Sequence, residues 1–170
     1  MMDTNFKNAK LQLEQYGEIL GRTSGNSMLP LFRNNKDSAI IKNANGNYKV
    51  NDVVLYRKPK TDEFILHRIL KVMDDHLVIR GDNRYSKEYI PFEDVIGVMT
   101  TFERNGKQYN CNKSKAYKLY VIYIRASYPL RRLLKKIKSF FILLTKNPKL
   151  LIKKIFNWNP TYKKVGFLCY

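Results

Sequence analysis

Short apolar blocks bounded by turn-forming residues fill the middle of the chain, and a helical spacing replaces them toward both ends. Near the N-terminus, Leu11, Leu13, Tyr16, Ile19 and Leu20 form an imperfect stripe that predicts a helix over 5–20. Thr23-Ser24-Gly25-Asn26 then breaks the pattern with turn-formers. The runs 38–42, 53–57, 64–72 and 76–80 are rich in Val, Ile and Leu and read as strands, with Asn/Gly, Pro-Lys-Thr-Asp and Asp-Asp turns between them. A further β-rich run covers 95–103, and Asn105-Gly106 is a strong hairpin signal leading into 107–109. The pattern therefore predicts a mainly β, α+β fold: a small β-core over 23–110 between an N-terminal helix (1–22) and a helical tail (111–170).

In that tail the period changes. Leu130, Leu133, Leu134, Ile137, Phe140, Phe141 and Leu144 fall within an arc of roughly 120° at 100° per residue. Arg131, Arg132, Lys135, Lys136 and Lys138 occupy the opposite side, and Pro129 suits a helix start. Pro148 would open a second short helix through Trp158.

Charge sharpens this division. Thirty-two Lys and Arg against 14 Asp and Glu give a net charge of +18, which calls for an anionic partner. From Lys113 to Tyr170 there are 15 Lys or Arg and no Asp or Glu, so a composition boundary lies near 105–113. Hydrophobic residues make up 44% of the chain, far too many for a disordered one. Asp3, Lys7, Lys10, Glu14 and Glu18 interrupt the N-terminal stretch, so it reads as neither a secretory signal nor an anchor. The longest apolar run of the tail, Leu119 to Ile124, has six residues, against about 18–20 needed to span a bilayer. Cys111 and Cys169 have no metal-ligand spacing and read as reduced and incidental, with a disulfide between them as the lesser alternative; no metal or cofactor is expected.

Three segments carry candidate chemistry. The first is Ser24-Gly-Asn-Ser-Met-Leu-Pro30, in which Gly25 permits close backbone approach and Pro30 stiffens the chain just after Ser27. A capping serine in a turn would look the same in isolation. The second is His67-Arg68 within an apolar strand, where His67 shares a face with Ile65 and Ile69, a setting that also suits an ordinary core histidine. The third is Arg80-Gly-Asp-Asn-Arg84 at a strand end, which is equally a plain turn. His76, beside the Asp74-Asp75 turn, reads as exposed and structural.

Taken together, these segments resemble the type I signal peptidases, within the superfamily that also holds the LexA-like self-cleaving repressors. Ser27-Met28-Leu29-Pro30 looks like the nucleophile box of that family, Asn51-Asp-Val-Val54 like its Gly-Asp-Val-Val strand, His67-Arg68 like its base followed by Arg, and Gly81-Asp82-Asn83 like its Gly-Asp-Asn box. Pro91 to Gly97 is similar to the strand that closes the core of the family, so the resemblance covers about 23–104. Most bacterial members carry Lys as the base; His67 is similar to the endoplasmic-reticulum and archaeal branch.

The resemblance implies a signal-peptidase-like β-core and a serine endopeptidase that acts by acyl transfer, with Ser27 as nucleophile and His67 as general base. A histidine titrates near ~6.5 without the strong desolvation a lysine base requires. Its other ring nitrogen needs an orienting acceptor, usually a carboxylate. Asp82 is the first candidate because it matches the Gly-Asp-Asn box, with Glu88 in reserve. The family often has Ser two residues before the nucleophile as an oxyanion donor. Gly25 stands there, leaving the Ser27 amide, with Ser24 as a further candidate donor.

The implied partner is a peptide or protein substrate with a leader segment, at a cytoplasmic location peripheral to the membrane. The basic tail suits an anionic membrane surface, packing on the β-core is the competing use, and nucleic acid ranks below both. A LexA-like role fits less well: 1–21 is too short for a helix-turn-helix, and neither Ala-Gly nor Cys-Gly, the bonds such proteins cut in themselves, occurs. A basic adaptor that kept the fold without catalysis is the remaining alternative.

Overall fold

The computed structural model describes residues 3–58, 61 and 63–146. The fold is α+β, built on one antiparallel sheet of eight strands. The first helix, α1 (Asp3–Tyr16), leads into β1 (Glu18–Arg22), β2 (Ser38–Lys42), β3 (Val53–Arg57), β4 (Phe64–Val72), β5 (His76–Arg80) and β6 (Glu88–Pro91). A 3-10 turn (Phe92–Asp94) follows, then β7 (Val95–Arg104), β8 (Lys107–Asn110), α2 (Lys115–Ala126) and α3 (Tyr128–Lys146). The sheet runs β1-β2-β7-β3-β4-β5-β6, with β8 paired to β7. At the β7–β8 turn, Asn105 and Gly106 take φ of 54° and 70°, the positive pair that a tight two-residue hairpin requires.

Two apolar layers lie on the faces of the sheet. One gathers Met28, Phe32, Ile41, Val53, Met99 and Phe102 together with Tyr117 of α2. The other gathers Val54, Tyr56, Ile69, Leu77, Ile79 and Ile90. Val53 and Val54 are both fully buried and belong to different layers, as alternation along β3 demands. A smaller contact joins Ala9 and Leu13 of α1 to Ile96 of β7.

The structure corrects the sequence reading at two boundaries. The helix predicted over 5–20 stops at Tyr16, where the Gly17 amide donates to the Leu13 carbonyl at 2.9 Å and the chain turns into β1. Ile19 and Leu20 continue the helical spacing, yet Ile19 pairs with Ile41 across the β1–β2 ladder and Leu20 is 70% exposed. An N-terminal helix filling 1–22 is therefore replaced by a helix and an edge strand.

The second boundary is that of the tail. The chain divides after Ala126 rather than at 110/111, into one unit ending there and another beginning at Ser127. The cause is α2: despite its basic neighbourhood, it turns buried Tyr117 toward the first layer, with Tyr120 and Val121 packed alongside. The second tail helix expected from Pro148 to Trp158, and Cys169, lie outside the described residues. Cys111 is a free, half-buried thiol whose pKa is pushed up to about 11, chiefly by burial. No described helix is long and apolar enough to cross a membrane.

Candidate active site

The site is organised by two neighbouring residues of β4 that face opposite sides of the sheet. His67 pairs across with Val54, on the face that carries Tyr56 and Ile69; Arg68 pairs with Val53, on the face covered by α2. Both side chains are buried.

On the first face, the Nδ1 of His67 lies 3.1 Å from Oε1 of Glu88. The hydroxyl of Tyr56 donates to the other oxygen of Glu88 at 2.6 Å and sits 3.2 Å from the same Nδ1. Because the tyrosine proton is committed to Glu88, its oxygen can only accept from the ring. Both neighbours of Nδ1 are thus acceptors, which places the imidazole proton there and leaves Nε2 with its lone pair. Nε2 is buried and has no hydrogen-bond partner. Burial, joined by the desolvated contact with Glu88, raises the pKa of Tyr56 and keeps it a donor. Burial also lowers the pKa of His67 from its ordinary 6.5; Glu88 opposes this, and the cation of Arg84 reinforces it.

Gly81 joins this ring to the Ser27 loop. A Cβ at Gly81 would stand 2.6 Å from the Ser27 carbonyl oxygen and 2.9 Å from Nε2 of His67, so no other residue fits. The serine backbone and the free nitrogen of the imidazole therefore flank one point. Asn83 secures the approach: its amide donates to the Ser27 carbonyl at 2.8 Å and its side chain to the Asn26 carbonyl at 3.1 Å. The loop is closed at its base by Asp37, which accepts from Arg33 and whose carbonyl accepts from Thr23. Gly25 adopts φ of +82°, and its amide donates to Asn34 Oδ1 at 2.8 Å. A serine there would be strained, which accounts for the glycine at that position. The Ser27 amide donates to no group among the described residues, so it is free to serve a developing oxyanion.

Asp82 is not the acceptor for His67. Its carboxylate takes a two-point fork from Arg68, Nε to Oδ1 at 2.8 Å and Nη2 to Oδ2 at 2.7 Å. Tyr120 of α2 also donates to Oδ2, at 2.8 Å. Arg68 spends Nη1 on the Asn51 carbonyl and the Tyr117 hydroxyl. The guanidinium matches the carboxylate edge to edge, and the fork holds Asp82 on the α2 face. The expected contact of Asp82 with His67 is therefore not made; Glu88, the reserve, has it. Asp82 still acts on the site through its chain, since its amide approaches the Met28 sulfur at 3.5 Å beneath the Ser27 loop.

Ser27, His67, Glu88 and Ser24 all line one cavity of about 720 Å³. It continues from these polar groups to an apolar floor that includes Phe32, Ile41 and Leu55. His76 lies elsewhere, 2.6 Å from Asp75 at the far end of β5. The functional side chains that sequence reasoning missed are Tyr56, Tyr117 and Tyr120.

Compared with known proteins, the chain matches no protein-family model and no curated sequence.

Proposed function

We propose that the protein is a serine endopeptidase of the signal peptidase type that removes a leader segment from a peptide or protein. The observation that carries this reading is the unpaired, buried Nε2 of His67 at the junction with the Ser27 loop, while Nδ1 is held by Glu88. Buried polar groups are as a rule hydrogen-bonded, so a buried Nε2 without a partner beside the Ser27 loop supports a working base over a core role.

In this reading the Ser27 hydroxyl oxygen bonds to a peptide carbonyl carbon as its proton passes to Nε2 of His67. The oxyanion accepts from the Ser27 amide. Collapse breaks the carbon–nitrogen bond, and His67 returns the proton to the leaving amine. Water then adds to the acyl-serine as its proton passes to Nε2; collapse breaks the carbon–Oγ bond, and His67 returns that proton to the Ser27 oxygen as the carboxylic acid departs. Glu88 stabilises the transient imidazolium, and Tyr56 holds Glu88 in place. The apolar floor of the cavity suits an extended substrate with hydrophobic side chains near the cut.

The test is labelling with a fluorophosphonate probe followed by peptide mapping. A single adduct on Ser27 is expected; an unlabelled protein would favour the adaptor alternative. The pH dependence of labelling follows from the lowered pKa of His67. The base form persists below the ordinary 6.5, so the rate should hold as pH falls from 7 through 6.5 and decline only at lower pH. A midpoint above 6.5 in the rate profile would contradict this assignment of the base.

A further inference from the structure

We infer that α3 is an interfacial helix that lies in the headgroup region of an anionic lipid bilayer. The helix runs 19 residues from Tyr128 to Lys146 and carries no acidic side chain. Along one side stand Leu130, Leu133, Leu134, Ile137, Phe140 and Phe141, each between 43% and 59% exposed. Along the other stand Arg131, Arg132, Lys135, Lys136 and Lys138. It is too charged to cross a membrane and too apolar on one side to rest in water.

Charge complementarity selects the occupant. A second copy of the helix could cover the apolar ridge, but it would bring another five cations beside the first five. A nucleic acid would pair with the cations and leave six large apolar side chains in water. A surface that is anionic at its face and hydrocarbon beneath meets both halves at once: the ridge enters the interface, and the Lys and Arg stems extend back to the headgroups. The catalytic unit adds a patch of the same kind on α2, where Leu119, Ile122 and Tyr123 are 58–67% exposed among Lys115, Lys118 and Arg125. Only Ser127 separates the two helices in sequence.

The experiment is sedimentation of the full chain with phosphatidylcholine vesicles, with and without phosphatidylglycerol, at physiological salt. Binding to the anionic vesicles alone is expected. Lys135→Gln with Lys136→Gln should weaken it roughly fivefold per charge removed. Leu133→Ser with Phe140→Ser should weaken it by about tenfold or more. Circular dichroism of the same variants checks that the helix and the catalytic unit persist. Failure to bind anionic vesicles overturns the inference, as does binding that ignores the apolar pair. Concentration-dependent self-association abolished by Leu133→Ser and Phe140→Ser, without vesicle binding, would assign the ridge to a second copy. Duplex DNA binding that survives that pair, again without vesicle binding, would assign the cations to nucleic acid. None of these readouts depends on the peptidase reading, which probe labelling tests separately.

Discussion

His67→Ala should slow acylation of Ser27 by about 10⁶-fold, because removal of the base from such a site costs about as much as removal of the whole machinery. Glu88→Gln should cost about 10⁴-fold, by analogy with amide replacement of the carboxylate in a serine–histidine triad. The reason lies in the ring. Glu88 accepts the Nδ1 proton 3.1 Å away. Glutamine can instead turn its amide toward Nδ1 and favour the tautomer that carries its proton on Nε2, where it blocks transfer from serine. Tyr56, hydrogen-bonded to Glu88 at 2.6 Å, would lose a charged acceptor in the same step. Asp82→Asn makes the contrast: it disturbs Arg68 and α2 while leaving both contacts of Nδ1 in place. Among molecules that remain folded, its acylation rate should fall far less than that of Glu88→Gln. Labelling rates under matched pH and probe concentration compare the three; an Asp82→Asn loss exceeding that of Glu88→Gln would return the orienting role to Asp82.

Arg68→Met should destabilise the unit that ends at Ala126 by about 3–5 kcal/mol, the usual result of removing one partner from a buried ion pair. The side chains of Arg68 and Asp82 are only 2% and 3% exposed. Burial opposes the charge on Arg68, but the contact with Asp82 outweighs it and holds the pKa of the guanidinium above the ordinary value. Methionine fills much of the same volume but takes the charged two-point fork away from Asp82, a loss that the neutral donor Tyr120 does not replace. It also strands the Asn51 carbonyl and the Tyr117 hydroxyl, both of which meet Nη1. Adding Asp82→Leu to Arg68→Met should recover much of the loss, since a packed apolar pair carries no such penalty. Urea unfolding of the two variants measures both numbers; a single variant as stable as the parent would show that the pair is solvated.

Much of this arrangement is legible in the chain itself. Strands at 38–42, 53–57, 64–72 and 76–80 announce themselves because short apolar blocks end at residues that cannot continue a ladder. Ser27 and His67 emerge as a set, through the order and neighbours of three weak boxes, and they line one cavity. The partner of His67 was not readable. Gly81-Asp82-Asn83 is a conspicuous motif, while Glu88 sits on a four-residue strand ending in Pro91. Which carboxylate meets the ring depends on the β5–β6 ladder, where Glu88 pairs with Ile79, and on the competing attraction of Arg68. Both are contacts between distant parts of the chain. Likewise, the absence of acidic residues after 113 marks a change of composition but not a change of packing. Tyr117 and Tyr120 sit within the basic stretch and belong to the unit of the sheet, because aromatic bulk rather than charge decides what α2 covers. At the other end, Ile19 and Leu20 satisfy a helical period by coincidence, and only the pairing of Ile19 with Ile41 places them in a strand.

The alternation at His67 and Arg68 makes the order of two letters matter more than their presence. A chain reading Arg-His at these positions would have the same composition, charge and hydropathy. It would send a permanent cation into the cavity beside Ser27 and set an imidazole against Asp82, where neither the two-point fork nor the reach to Asn51 could be reproduced. The cavity-facing and the core-pairing side chains thus sit one residue apart on the same strand, and a transposition that any composition-based comparison would score as neutral would disturb both.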